Sequence, residues 1–177
     1  YDRILFVTDA AINIEPSLKE KADIAQNAID LARSLGIETP KVAILSAVEM
    51  VNPDINSTID AAALCKMADR GQIRGAVLDG PLAFDNAISE IAARTKSIHS
   101  PVAGRADILL VPNIEAGNRL AKKLQYFAGA DSAGIVLGAR VPVILTSRAD
   151  NVRMRVGSAA VAKLVVHARR TAIPPLK

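Results

Sequence analysis

Short apolar runs along the chain alternate with longer stretches in which apolar residues recur every three or four positions. The first run, Arg3–Thr8, reads as a strand ending at Asp9. After Pro16-Ser17, the residues Leu18, Ala22, Ala25, Ile29, Ala32 and Leu35 share one helical stripe, and Gly36 stands where a left-handed cap would end it. Lys41–Ser46 predicts a second strand, and Asn56–Arg70 a helix closed by Gly71. A third strand, Gly75–Leu78, runs into Asp79-Gly80-Pro81, whose residue types mark a turn. Ala83–Arg94 reads as one helix with Ile88, Ile91 and Ala92 facing inward. Asp107–Val111 is a fourth strand broken by Pro112-Asn113, and Glu115–Phe127 an amphipathic helix stopped by Gly129. Gly134–Leu137 and Val141–Leu145 lie so close that an antiparallel or edge pairing is expected around Gly138. A long helix from Asp150 to Arg170 follows.

This alternation predicts an α/β fold, a three-layer αβα arrangement with a largely parallel sheet. Ligands of such sheets bind beyond the carboxyl ends of the strands. The polar residues expected there are Asp9, Asn13, Ser46, Glu49, Asp79, Asn86, Asn113, Ser147 and Arg148. Half of the 177 residues are apolar, which excludes a disordered chain, and the Ala/Val/Ile/Leu character suits buried parallel strands. With two Tyr, three Phe and no Trp, stacking platforms for single-stranded nucleic acid are lacking. A single cysteine, Cys65, excludes a disulfide scaffold or a CxxC metal site and reads as a small buried hydrophobe. No apolar run approaches the roughly 18 residues of a spanning helix, and no basic-then-apolar leader opens the chain, so a cytoplasmic protein without membrane contact is expected.

Val141–Asp150 is the sharpest candidate for chemistry. An apolar strand ends in Thr146, Ser147 and Arg148 directly before a helix start, where free N–H groups and the dipole favour an anion. Arg148 offers a guanidinium fork for phosphate oxygens, Ser147 a hydroxyl donor, and Asp150 an N-cap. The plain alternative is a capped turn with one surface charge. Val111–Asn118 is built the same way, with Asn113, Glu115, Gly117 and Asn118 at a strand end. There Gly117 would let backbone approach a ligand or admit a neighbouring helix. Asp79, Asp85 and Asn86 would suit acid–base work or a divalent ion, but their spacing matches no tight metal loop, and turn and cap roles fit better. His99 and His167 lack partners at ligand spacing and read as structural, so no metal is expected. Dinucleotide, P-loop and hydrolase-elbow signatures are absent.

Charge is uneven. From Arg140 to Lys177, eight basic side chains face Asp150 alone, a balance of +7 that leaves −3 for residues 1–139. Such a segment suits an anionic ligand or a partner surface. The last helix is apolar nearly all round over Val156–Val166, as if buried on more than one side. Together with a chain that enters a strand almost at Tyr1, this suggests a fragment, with a missing domain or a partner subunit covering that helix.

Three segments in order, Ala106–Asn118, Gln125–Ala130 and Val141–Asp150, resemble the phosphate acetyltransferase/butyryltransferase family. Gly80–Ala87 resembles its butyryl-type branch in particular. The resemblance spans nearly the whole chain. It implies two α/β domains related to the isocitrate/isopropylmalate dehydrogenase-like fold, with a cleft between them. Residues 1–138 would be the second domain, and 139–177 a return segment of the first domain, whose remainder would be the N-terminal half of the same protein. The implied activity is acyl transfer between coenzyme A and inorganic phosphate in a ternary complex, with acyl-CoA and phosphate as substrates and no covalently bound cofactor. A homo-oligomer is implied as well. The family's Ser-Arg pair falls on Ser147 and Arg148, for the oxyanion or departing sulfur and for phosphate respectively. Acetyl-type members carry an aspartate seven residues after that serine. Met154 stands there in this chain, which leaves Asp150 as the nearest carboxylate and favours a butyryl-like or divergent branch.

The leading expectation is therefore an acyltransferase that engages neither membrane nor nucleic acid and is inactive in this chain alone. Met154 motivates a second reading, a non-catalytic domain binding coenzyme A or phosphate. The +7 segment motivates a third, a basic nucleic-acid-binding module, whose affinity would fall steeply with salt.

Overall fold

The computed structural model of the chain describes residues 1–171. Lys177, counted above in the basic segment, lies outside the described residues. Four parallel strands form the main sheet in the order β1-β4-β2-β3: β1 (Phe6–Thr8), β2 (Lys41–Leu45), β3 (Val77–Leu82) and β4 (Ile108–Leu110). Side chains alternate across the two central strands. Val42, Ile44, Ile108 and Leu110 face one side, where Ala25, Ile29 and Ala32 of α1 (Leu18–Ser34) and Ala61 and Leu64 of α2 (Asn56–Asp69) cover them. Ala43, Leu45, Leu109 and Val111 face the other side and meet Ala87, Val102, Ala106, Ala116 and Leu120. The expected three-layer αβα arrangement is thus observed.

Local chemistry sets the helix boundaries. Ser17 and Glu20 close a reciprocal capping box that starts α1. The single helix expected over Ala83–Arg94 is two, α3 (Phe84–Ile88) and α4 (Glu90–Thr95). Ser89 separates them in extended backbone, and its hydroxyl accepts from Ala92 N at 3.3 Å to cap the second. The expected turn at Asp79-Gly80-Pro81 is instead part of β3. Two physical facts allow this. β3 is an edge strand, where proline costs no ladder bond, and Gly80 sits where a Cβ would lie 2.7 Å from the Ile44 carbonyl oxygen.

Beyond β4, α5 (Ile114–Phe127) leads to a small antiparallel pair, β5 (Ile135–Val136) and β6 (Val143–Ile144), and then to α6 (Val152–Thr171). The pairing expected around Gly138 is therefore present, as a sheet separate from the main one. α6 packs on α1 and on β5 and β6, burying Ser158, Ala162 and Val165. Val152, Val156 and Leu164 stay exposed, so among the described residues only one side of that apolar helix is covered.

Candidate functional site

The carboxyl ends of β1 and β4 meet in a tightly bonded corner. After β1, the Asp9 carboxylate accepts from the backbone N–H groups of Ala11, Ile12 and Asn13 at 2.8, 3.0 and 2.8 Å, and from Asn13 Nδ2 at 2.6 Å. Burial opposes ionisation of Asp9, but these four donors outweigh it and hold its carboxyl below the ordinary value. The loop they shape lies against the start of α5. Asn113 caps that helix through Ala116 N at 3.1 Å and donates from Nδ2 to Glu15 at 3.2 Å, while Asn118 Nδ2 donates to the Ala10 carbonyl at 3.3 Å. Gly117 makes the approach possible, since a Cβ there would lie 2.5 Å from the Asp9 carbonyl oxygen and 2.8 Å from Val111 Cγ2. What Gly117 admits is loop backbone. Glu115 points outward and pairs with Arg119 at 3.4 Å.

A second polar group lies beyond β2 and β3. Asn86 is fully buried, and its Nδ2 donates to Glu49 at 2.6 Å. Lys96 bridges Glu49 at 2.7 Å and Asp85 at 2.9 Å, and its ammonium holds both carboxyls below their usual range. Asp79 is occupied separately, accepting from Gly80 N at 2.8 Å. Over β2 and β4, Lys21 pairs with Asp60 at 2.7 Å beside a cavity of about 10 Å³ bordered by Ser57 and Pro112, room for one water at most. Cys65 is half-buried, its thiol 3.7 Å from the Gly80 carbonyl, and burial pushes that thiol up to about 12. His99 and His167 are exposed. Among the described residues, no three His, Cys, Asp or Glu side chains are placed to hold a metal ion, and no helix is long and apolar enough to cross a membrane.

Thr146, Ser147, Arg148 and Asp150 form an exposed turn between β6 and α6. Asp150 folds back on it: its carboxylate accepts from Ser147 N at 2.7 Å, and its own N–H donates to the Ser147 carbonyl at 3.1 Å. The expected N-cap role passes to Asn151, whose Oδ1 accepts from Met154 N at 3.0 Å. α6 starts at Val152, one position too late for Asp150 to be the cap, which frees its carboxylate to close the turn. Arg153 pairs with Asp131 at 2.7 Å, whereas the Arg148 guanidinium has no bonded partner among the described residues. No hydrogen bond or ion pair joins this turn to Asn113–Asn118 among the described residues. The sequence patterns place the tip residues but miss the Lys96 bridge, the Lys21–Asp60 pair and the bonding of Arg155. None of these shows in spacing, because each links segments that only the fold brings together or that a turn folds back.

A hydroxyl and a guanidinium in a turn before a helix start are groups that can bond to the oxygens of an anion such as phosphate. The family model described as "Phosphate acetyl/butaryl transferase" matches residues 1–163, and the chain belongs to that family. It is 66% identical over 168 residues to the phosphate acetyltransferase of Rhizobium meliloti, covering 95% of this chain and 53% of that protein. The phosphate butyryltransferase of Clostridium acetobutylicum is 53% identical over 165 residues, with 93% of this chain and 55% of that protein covered. A solved branched-chain phosphotransacylase from Enterococcus faecalis V583 superposes with a TM-score of 0.83 at 39% identity, over 90% of this chain and 58% of that one. The chain spans about half the length of the curated relatives it matches.

Proposed function

We propose that the chain is the C-terminal portion of an acyl-CoA:phosphate acyltransferase, and that the Ser147-Arg148 turn is where phosphate meets the thioester. Residues 1–138 act as its second α/β domain and 139–177 as the return to the first, with the β5–β6 pair at the joint. The observation that carries the reading is the exposed Arg148 guanidinium, unpartnered among the described residues and next to Ser147 in sequence, before the start of a basic helix. A phosphate oxygen attacks the thioester carbonyl, the tetrahedral intermediate collapses, the C–S bond breaks and CoA leaves as thiolate. Arg148 holds the phosphate, and Ser147 donates to the oxyanion or to the departing sulfur. Asp150 commits its carboxylate to the Ser147 amide, so its part is to shape the turn. With Met154 where acetyl-type members carry aspartate, the nucleophile is an anionic oxygen of phosphate itself.

The cavity beside Lys21 and Asp60 is far too small for an acyl-CoA, and in this reading the second wall of the cleft comes from the N-terminal half. The same half, or another copy of the protein, covers Val152, Val156 and Leu164. The chain alone does not turn over. The test is phosphate-dependent CoA release from acetyl-CoA and butyryl-CoA by the protein carrying both halves. Release that needs phosphate and disappears in Ser147→Ala and Arg148→Ala supports the reading, and phosphate-independent release or none refutes it.

A further inference from the structure

We propose that Arg155 is a positioning residue for the turn that carries Ser147 and Arg148. This inference rests on the reading of that turn as the phosphate and thioester site. Arg155 lies in the first turn of α6 and reaches back along the chain. Its Nε donates to the Asp150 carbonyl at 3.1 Å, and its Nη2 makes a longer contact with the Arg148 carbonyl at 3.5 Å.

Those two carbonyls have no helical donor. Met154 N, which would reach the Asp150 carbonyl if α6 began a residue earlier, goes to Asn151 Oδ1 instead. One edge of a planar guanidinium spans both acceptors at once, whereas an ammonium offers a point charge without that fixed fork. Asp150 closes the turn from inside, through Ser147 N and the Ser147 carbonyl, and Arg155 ties it to the helix from outside. The backbone between these two clamps is the segment from which Ser147 Oγ and the Arg148 guanidinium project.

The charge pattern supports the same role. α1, α4 and α5 carry Glu20, Glu90 and Glu115 in their first turns, as the helix dipole favours. α6, like α2, has no acid in its first turn, and it carries Arg153 and Arg155 near its start. Arg153 is neutralised by Asp131 and Arg155 is held by carbonyls, so neither competes with Arg148 for an anion by swinging over it. A helix start that breaks the local rule in this way is expected where function, not helix stability, sets the sequence.

The experiment compares Arg155→Ala and Arg155→Lys. In this chain, amide hydrogen exchange at Ser147 and Asp150 should speed up several-fold in both variants, with the middle of α6 and the thermal midpoint unchanged. In the protein carrying both halves, kcat for phosphate-dependent CoA release should fall by roughly 10–100-fold in both, because a small misplacement of reacting groups costs that much. The lysine variant should track the alanine variant, since the fork and not the charge is what acts. Wild-type kcat and exchange in Arg155→Lys would overturn the proposal and reduce Arg155 to a surface charge. If the wild-type enzyme itself releases no CoA, the acyltransfer reading fails, and with it the catalytic part of this inference. Exchange alone then decides whether Arg155 holds the turn.

Discussion

The turns that open α5 and α6 are made of similar parts and placed in opposite surroundings. Each follows a strand, has an asparagine cap (Asn113 and Asn151) and presents helix amides. At α5 the turn is spent on the protein: Asn113 and Asn118 bond to the loop after β1, Gly117 lies against Asp9, and the first turn carries Glu115. At α6 the turn faces outward, is tied among the described residues only to itself and to Arg155, and carries arginines where the other helix carries acid. Similar local sequence grammar therefore serves a packing joint in one place and an anion-facing edge in the other. Partners and charge separate the two, and the residue types alone do not.

If this contrast is right, substitutions at the two turns should fail in different ways. The largest effect expected is for Arg148→Ala, a loss of about 100-fold or more in phosphate-dependent CoA release by the protein carrying both halves. Its denaturant midpoint should be nearly unchanged, because the side chain is exposed and bonded to nothing described. Gly117→Ala should do the reverse, lowering stability by about 1–3 kcal/mol in denaturant titration, because a methyl group must displace the Asp9 backbone. Loss of stability by Arg148→Ala, or none by Gly117→Ala, would erase the distinction.

Asn151→Ala should cost about 1 kcal/mol of stability through the lost cap on Met154 N, measured by thermal or denaturant unfolding. The last effect, at Asp9, is read as a pH dependence and sharpens the description of the α5 corner. Its folded carboxyl lies below the ordinary 3.8, so its contribution is complete above that value and is lost as pH falls through the lowered folded value. The Asp9 part of the wild-type chain's stability should therefore be lost below about pH 3.8, and Asp9→Asn should flatten that part of the profile. An identical acid limb in both proteins would mean that the four donors around Asp9 do not favour its charge.

The layers of the fold were legible in the sequence because each strand is a run of apolar residues that only a two-sided core can cover. Boundaries were legible where a cap or glycine marked them, as at Ser17. They were misread where tertiary context overrode local type. Asp79-Gly80-Pro81 looks like a turn, but an edge position and close packing on Ile44 make it strand. Ala83–Arg94 looks like one helix, but the Ser89 hydroxyl serves a new N-terminus better than a helix interior. At the candidate site, the residue types at Ser147 and Arg148 pointed to an anion. That Asp150 bonds backward, and that Arg155 completes the clamp, depends on where α6 begins, which differs from the sequence reading by two residues.

The most direct test of the contrast is a titration of this chain with inorganic phosphate, followed residue by residue in amide NMR spectra. The account predicts saturable shifts at Ser147, Arg148, Ala149 and the first amides of α6, lost in Arg148→Ala, with Ile114–Asn118 unmoved. Shifts centred on Ile114–Asn118 that survive Arg148→Ala would show that the bonded corner takes the anion, and would contradict it.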